Sequence, residues 1–378
     1  MGISFPVAAL AGCTAVLLLQ PVTASAVTDP VAQRRTSAGG GSVTSLPLTA
    51  GSALAPRTTR PFELLGVGWD DPARSLAGGS VLVRTRDAAT HVWSGWHELE
   101  ADGEDGPDTP GGGATAPLWT GPSDGVAVRV TPGPGGLPTG LRLELVDPGR
   151  GAAPASARTL PAEPPDGHQA ARPAIVTRAG WGADESLRDP QVEYTGPVRV
   201  VFVHHTATAT EYACADAPRV IRAIYQYHVQ SNGWRDIGYN FLVDRCGTLY
   251  EGRAGGAELP VHGAHTLGFN ADSAGVAALG TFVTDTPPPP VPDGLARLAA
   301  WKLGLTGQDA AGRTQLVSSS SASRYPKGTS VTFDAVSGHR DAFNTECPGA
   351  ALYPLLPAVR TQAALLQSGA RPARRDAR

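Results

Sequence analysis

Two nearly continuous apolar runs constrain the fold of the C-terminal half of this 378-residue chain. The segments VRVVFV (residues 198–203) and AGVAALG (residues 274–280) lack the alternation of a half-exposed strand, so both predict strands that are buried on two faces. Segments with helical spacing lie between and after them, and Asp216 and Asp293 stand where helix caps are expected. This pattern predicts an α/β domain over residues 173–368, with a central mixed β-sheet flanked by helices.

A different pattern precedes this domain. Residues 61–147 contain short alternating runs separated by Gly, Pro and Asp turns: FELLGVGW, SVLVRTR, HVWSGWHEL, GVAVRV and LRLELV. Alternation with a period of two predicts strands with one buried face, and hence a small all-β, sandwich-like accessory domain. Its Trp93, Trp96 and Trp119 allow two interpretations, stacking on sugars or packing in the domain core.

The N-terminus resembles an export signal. An apolar stretch over residues 3–19 is followed by Ala24, Ser25 and Ala26, a small-residue pattern that signal peptidases cut, so residues 1–26 predict secretion. No Lys or Arg precedes the stretch, and LAGC (residues 10–13) resembles a lipobox. Because the apolar run continues past Cys13, we expect plain secretion, with association with the cell wall as a further expectation and no transmembrane segment in the mature chain.

The remaining segments predict linkers and a tail. Residues 27–60 are rich in Ser, Thr, Ala and Gly, and residues 148–172 are rich in Pro and Ala, so both predict flexible linkers. Residues 369–378 form a basic tail, either a solvated end or an anchor for anionic wall polymers. A net charge of −3 gives no indication of a nucleic-acid partner. The oligomeric state is open at this level.

Cysteine counting separates one thiol from a pair. Once Cys13 is removed with the export signal, an odd number of cysteines remains in an oxidising compartment. Cys214 and Cys246 bracket a predicted helix and strand, and we expect a disulfide between them. Cys347 is then free for another role, whereas pairing of Cys347 in a disulfide would make the nearby histidines structural.

Three residue positions have the chemistry of a catalytic zinc site: a histidine in VFVHHT, His339 in SGHRD and Cys347 in TECPG. Two imidazoles and a thiolate leave the fourth tetrahedral position open to water. His204 and His205 are adjacent on a predicted strand and point to opposite faces, so only one of them can be a ligand. A histidine in a buried strand can also be a hydrogen-bonded core residue.

Eight segments carry a resemblance to a known family: RAGWGA, VFVHHTA, IYQYHV, GWRDIGYNFLVD, GTLYEGR, GAHTLGFN, SAGVAALGTF and GHRDAFNTECPG. In this order, over about residues 178–356, they resemble the peptidoglycan recognition protein and type 2 amidase family, whose zinc-dependent N-acetylmuramoyl-L-alanine amidases are related to phage T7 lysozyme. The resemblance implies an actinobacterial-type secreted member with one Zn²⁺ per chain and with peptidoglycan or muropeptides as substrate.

The resemblance also implies roles for individual residues. It places the zinc ligands at His204, His339 and Cys347 and the catalytic tyrosine at Tyr239. Thr345 occupies a position where phage enzymes of the family have lysine and many active recognition proteins have threonine. The stretch after EGR reads AGG and lacks the aromatic residue that is frequent there, so stem-peptide preference is not transferred.

Other polar residues in the matching segments are candidates for the substrate groove: His228, Trp234, Arg253, His265 and Asn270. Arg253 could grip a carboxylate in a bidentate way, and His228 could instead pack on the apolar side of its helix. Asp341 is either an acceptor behind a zinc-binding histidine or a surface charge. The implied activity is hydrolysis of the amide between the lactyl group of N-acetylmuramic acid and L-alanine. The alternative is a protein that binds peptidoglycan without cutting it.

Overall fold

The computed structural model describes residues 1–2, 32–37, 40–48, 53–71, 76, 78–100, 113–151 and 170–369. The chain divides into two compact units, Met1–Val31 and Ala32–Arg378, and every strand and helix given below belongs to the second. Most of the predicted export signal, including Cys13, lies outside the described residues. The same is true of residues 152–169 and of the basic tail after Gly369.

The accessory domain is built from antiparallel strands in one eight-stranded sheet. The strand order is β1-β2-β8-β3-β7-β4-β5, and β6 pairs with β3. One apolar cluster draws side chains from strands at both ends of this order, as a sandwich-like fold requires. The strands are β1 (Gln33–Thr36), β2 (Ser42–Pro47), β3 (Ala53–Trp69), β4 (Ser80–Asp87), β5 (His97–Leu99), β6 (Gly113–Ala114), β7 (Leu118–Thr131) and β8 (Arg142–Asp147).

The predicted linker over residues 27–60 differs from the structure, because β1, β2 and the first half of β3 lie within it. All four residues of β1 are exposed, and the first half of β3 is largely exposed as well. An exposed edge strand carries few apolar residues, so its sequence resembles that of a linker. The accessory domain therefore begins earlier in the chain than the apolar alternation indicates.

Trp93, Trp96 and Trp119 of the accessory domain have two different environments. Trp119 is buried, as the core interpretation expects. Trp93 and Trp96 are half-buried, and the guanidinium carbon of Arg84 lies 5.0 Å from the centre of each ring. Arg129 lies 4.2 Å from the ring centre of Trp96. These two rings form cation–π contacts and lie outside the apolar core clusters, and stacking on sugars stays a prediction.

The α/β domain contains a six-stranded mixed sheet in the order β16-β10-β13-β11-β12-β9. Its strands are parallel except for the β11–β12 hairpin. A separate antiparallel pair, β14 with β15, completes the strands. Their bounds are β9 (Ile175–Val176), β10 (Val200–His205), β11 (Phe241–Val243), β12 (Leu249–Glu251), β13 (Ser273–Ala278), β14 (Arg313–Val317), β15 (Ser330–Asp334) and β16 (Val336–Gly338).

Helices cover both faces of the mixed sheet, as predicted. They are α1 (Arg178–Trp181), α2 (Ala217–Gln226), α3 (Pro290–Gly304), α4 (His339–Ala342) and α5 (Leu356–Gln367). Alternate residues of β10, Val201 and Val203, join α3 and α5 in one apolar cluster. Helix α2 belongs to a second cluster, which includes Leu242 and Ala277. The alternation of β10 thus assigns its even-numbered and odd-numbered side chains to different layers.

Of the two predicted helix caps, Asp216 stands at the N-cap position of α2, and the cap at Asp293 is wrong. Asp216 closes a 3-10 turn (Cys214–Asp216), and its side chain makes no capping hydrogen bond to α2. Asp293 lies inside the first turn of α3, which begins at Pro290. At both sites proline occupies the first helical turn, where its missing N–H is not needed by the helix. After Gln226, a π-helical turn (Tyr227–Ser231) continues α2.

The accessory sheet packs directly on α2. One apolar cluster contains Leu64 and Trp119 of the sheet together with Val220 and Ile224 of the helix. The Tyr227 hydroxyl donates a hydrogen bond of 3.0 Å to the carbonyl oxygen of Thr115. An ion pair between Arg219 and Glu63 crosses the same boundary. The two domains therefore share a hydrophobic core.

The cysteines follow the sequence prediction. Cys214 and Cys246 form a disulfide that joins the start of α2 to the β11–β12 turn, and Cys347 is buried and forms no disulfide with a described residue. Within the described residues, no helix has both the length and the hydropathy needed to cross a membrane.

Candidate metal centre

Parallel pairing of β10 with β16 brings two histidines together. Val203 of β10 is aligned with Gly338 of β16, so the next residue of each strand, His204 and His339, emerges at the same edge of the sheet. The centres of the two imidazole rings are 4.3 Å apart. Cys347 follows α4 in a loop that returns to this edge, and the ligand atoms of the three residues all lie within 4.8 Å of one another.

The spacing and chemistry of these donors fit zinc. His204 Nδ1 lies 3.9 Å from Cys347 Sγ, and tetrahedral zinc with ordinary Zn–N and Zn–S bonds separates such atoms by about 3.6 Å. All three side chains are buried. The second nitrogen of His204, Nε2, is 3.1 Å from His265 Nδ1, so both nitrogens of the ring have a neighbour that fixes its orientation.

Burial sets the protonation state of these rings. It lowers the pKa of His204 well below the usual value, and the nearby His339, His265 and His205 lower it further. The pKa of His265 is lowered in the same way, first by burial and then by His339. A neutral imidazole is the form that binds a metal, so the site is prepared for coordination at neutral pH.

His265 occupies a space that only glycine leaves open. A Cβ atom at Gly275 of β13 would lie 2.3 Å from Cγ of the His265 ring, and one at Gly263 would lie 2.4 Å from its Cδ2. Asn270 fixes the backbone at this point, because its Oδ1 accepts the N–H groups of His265 (2.7 Å) and Thr266 (2.9 Å). His265 thus holds the His204 ring, and Asn270 holds the backbone of His265. Contact of either residue with substrate stays a prediction.

Tyr239 lies beside the three candidate ligands, with its ring centre 5.5 Å from that of His204. Its loop is held on two sides. His228 Nδ1 accepts the N–H of Gly238 at 3.1 Å, and Arg253 donates from its backbone to the Tyr239 carbonyl (2.9 Å) and from its guanidinium to Ile237 (3.2 Å). His228 is fully buried, which agrees with the packing interpretation.

The other side chains of this loop also have defined contacts. Trp234 is buried with its ring centre 4.4 Å from that of His228. Asp236 accepts the N–H groups of Ile237 (2.7 Å) and Ala254 (2.9 Å), and forms a buried ion pair of 3.2 Å with Arg178 of the RAGWGA segment. Trp234 and Arg253 therefore contribute to the packing of the Tyr239 loop, and their roles in substrate binding stay predictions.

Thr345, two residues before Cys347, and Asp341, two residues after His339, make different contacts near the candidate ligands. Thr345 Oγ1 accepts the N–H of Cys347 at 3.2 Å, which positions the thiol, and a direct role in catalysis stays a prediction. Asp341 has a role in the structure that neither interpretation named. Its carboxylate accepts the N–H of Gly338 (2.8 Å) and the hydroxyl of Tyr353 (2.7 Å), so it caps α4 at the start of the helix that carries His339.

Some residues around the site could not be identified from the sequence. Gly275 lies in an apolar run in which nothing distinguishes it from its neighbours, and only the position of His265 gives it a function. His205 faces away from His204, and its ring nitrogen lies 3.2 Å from Glu100 of the accessory domain. No local pattern joins residues so far apart in the sequence.

Two family models match separate parts of the chain. One, described as "Rv3811 N-terminal galactose-binding domain-like", matches residues 20–167. The other, described as "N-acetylmuramoyl-L-alanine amidase", matches residues 194–350, which contain all three candidate zinc ligands and Tyr239. The first match includes the strands of the accessory domain, and the second includes β10 to β16.

Curated relatives match the second half of the chain. Peptidoglycan-recognition protein LE of Drosophila melanogaster is 40% identical over 30% of this chain and 32% of its own length. Peptidoglycan-recognition protein SC2 of Drosophila simulans is 34% identical over 46% of this chain and 80% of its own length. The human N-acetylmuramoyl-L-alanine amidase is 33% identical over 49% of this chain, and the match spans only 28% of the human protein.

Proposed function

Because the chain belongs to the family of peptidoglycan-recognition proteins and N-acetylmuramoyl-L-alanine amidases, we propose that it is a secreted zinc-dependent amidase of peptidoglycan. The scissile bond is the amide between the lactyl group of N-acetylmuramic acid and the L-alanine of the stem peptide. The observation that carries the proposal is the buried cluster of His204, His339 and Cys347 with Tyr239 beside it.

Each residue of the cluster has a separate task. His204, His339 and Cys347 would hold the zinc, which when bound lowers the pKa of a water and polarises a carbonyl group. The Tyr239 hydroxyl would donate a hydrogen bond to the oxygen on which negative charge develops during attack on the amide. Thr345 supports Cys347 through its backbone, and His265 supports His204 through its ring.

The competing function is recognition of peptidoglycan without cleavage. The test is mass spectrometry of products from defined muropeptides, with the full chain as purified, after chelation and after zinc is returned. We expect free stem peptide and intact muramic acid with zinc, no product after chelation, and recovery when zinc is restored. Muropeptide binding without any product would favour the recognition function.

Cys347→Ser sharpens this test because it removes one candidate ligand while nearly keeping the size of the side chain. We expect the variant to lose both zinc, measured by elemental analysis, and turnover. Cys347 is buried and has no disulfide partner, so loss of a disulfide does not complicate the result. Full turnover by the variant would exclude the zinc mechanism. Replacement of the exposed His97 by Ala serves as a control for a substitution outside the cluster.

A further inference from the structure

The accessory domain brings one carboxylate to the edge of the metal centre. Glu100 follows β5, and its carbonyl oxygen accepts the N–H of Ala116 at 2.9 Å. Ala116 is next to Thr115, whose carbonyl accepts the Tyr227 hydroxyl. The place where the accessory sheet docks on the α2 layer therefore fixes the position of Glu100. From there, Oε2 of Glu100 reaches to 3.2 Å from Nε2 of His205.

The hydrogen bonds of His205 define which ring nitrogen carries a proton. The backbone N–H of Phe282 points at Nδ1 of His205 with a distance of 3.3 Å. A backbone amide can only donate, so Nδ1 is the acceptor and the ring hydrogen of the neutral imidazole is on Nε2. That hydrogen is directed at the Glu100 carboxylate. The ring is thus fixed from both sides, by one residue of each domain.

The backbone of His205 also connects two of the candidate ligands, His204 and Cys347. Its backbone N–H donates to Cys347 Sγ at 3.3 Å, and the residue before it is His204. An N–H group directed at sulfur stabilises the thiolate form, which is the form that binds zinc. His205 is buried and its ring is hydrogen-bonded on both sides, so the close-packed surroundings pass a displacement of the ring on to the strand end and this peptide group.

We propose that Glu100 is a positioning residue of the metal centre, through which the accessory domain completes the amidase site. It holds His205, and His205 holds the peptide that connects His204 to the Cys347 sulfur. The inference rests on the proposed zinc site. It assigns the accessory domain a role in metal binding, through the contact between Glu100 and His205.

The test measures metal affinity in the full-length chain, by competition with a chelator for zinc and by the thiolate charge-transfer absorption of the cobalt-substituted protein. Glu100→Ala removes the acceptor, and we expect zinc affinity to fall by about 10- to 100-fold with a shifted cobalt–thiolate band. Glu100→Gln keeps an acceptor oxygen, and we expect it to restore most of the affinity. Glu98→Gln changes an exposed carboxylate of β5, two residues before Glu100, and should behave as the wild type.

Thermal unfolding of the metal-free proteins separates positioning from folding. We expect Glu100→Ala to melt within a few degrees of the metal-free wild type. If that variant does not fold, Glu100→Asp, which keeps the charge and shortens the reach, replaces it with the same expected loss of affinity. Wild-type affinity and an unchanged cobalt spectrum in the folded variant would overturn the inference.

The same measurements distinguish this inference from the proposed function. A wild type that binds zinc and cleaves muropeptides, with Glu100→Ala unchanged, contradicts only the positioning role. A wild type that binds zinc through a Glu100-dependent site and cleaves no muropeptide contradicts only the amidase function. A wild type that binds no zinc contradicts both.

Discussion

In the proposed mechanism, individual side chains of the site divide into three that would hold the metal and one beside them, Tyr239, that would act on substrate. Tyr239 is not among the three candidate ligands, so its hydroxyl can be removed without removing a donor. We expect Tyr239→Phe to retain zinc and to lose about 10²-fold in kcat, the usual effect of deleting one oxyanion donor. Elemental analysis and steady-state kinetics check this, and loss of zinc together with activity would contradict it.

Lys302 offers a pH-dependent test away from the metal centre. Burial lowers its pKa to about 8, although Nζ donates to the carbonyl oxygens of Ala257 (2.7 Å) and Leu259 (2.9 Å). Between this value and the unfolded pKa near 10.4, the unfolded chain binds more protons, so the free energy of unfolding rises with pH. The rise is on the order of 2–3 kcal/mol between pH 8 and pH 10.

Lys302→Met isolates this contribution, because the variant keeps every other titrating group. Denaturant unfolding of both proteins from pH 7 to pH 10 should give curves that diverge, with the wild type gaining stability relative to the variant as pH rises. Parallel curves would show that Lys302 titrates normally in the folded state.

The three candidate ligands could be named from the sequence, and the structure brings them together, whereas the groups behind them could not be named. His204, His339 and Cys347 lie in short distinctive motifs, and strand alternation limits the adjacent histidines to one ligand. Asp341 lies two residues after the candidate ligand His339, but its carboxylate accepts the N–H of Gly338 at the N-cap of α4, as the acidic residue of a capping box does. Sequence proximity to a metal ligand did not define a role in the site.

Among the elements, helix α2 and the accessory sheet depend on a close approach at Gly66. A Cβ atom at this position would lie 2.3 Å from the hydroxyl oxygen of Tyr227. We expect Gly66→Ala to destabilise the folded chain by about 1–3 kcal/mol, because the overpacked contact forces the sheet away from the helix. Gly95→Ala is the matched control, since a Cβ there meets nothing within 4 Å. Equal denaturation midpoints for the two variants would contradict this.

The Cys214–Cys246 disulfide joins α2 to the β11–β12 hairpin across a separation of 32 residues. Closing a loop of this length lowers the entropy of the unfolded chain and stabilises the fold by roughly 3–4 kcal/mol. Replacement of both cysteines by alanine should lower the free energy of unfolding by that amount while zinc content is kept. Denaturant titration with elemental analysis measures both, and loss of zinc would show that the bridge also shapes the metal centre.

Element prediction succeeded where a hydrophobic pattern had one interpretation. The buried runs became β10 and β13, and the turn at Cys246 became the β11–β12 hairpin. It failed for β1, an exposed edge strand without apolar residues, and for β2, whose two apolar residues before its final proline, Val43 and Leu46, do not alternate with a period of two. Helix α3 begins at Pro290, before the predicted cap Asp293, because proline is favourable in the first helical turn.

For the whole molecule, the shared core predicts that both domains unfold together. Leu64 and Trp119 of the accessory sheet lie in the same apolar cluster as Val220 and Ile224 of α2. Separating the two domains would expose these side chains to water, and the free-energy cost is about 25 cal/mol per Å² of apolar surface exposed. We expect hydrogen exchange in denaturant to show β7 and β10 losing protection in one transition, whereas two transitions would mean that the domains are energetically independent.

The sequence by itself determined the α/β domain, the all-β domain, the disulfide pair, the free Cys347 and the family. Those features depend on local periodicity, on counting, or on motifs that short segments contain. Only the tertiary structure decided that the accessory domain begins before residue 60, that it packs on α2, and that Glu100 contacts His205. Such contacts join residues far apart in the chain, and their energy depends on how two surfaces fit, which no local pattern records.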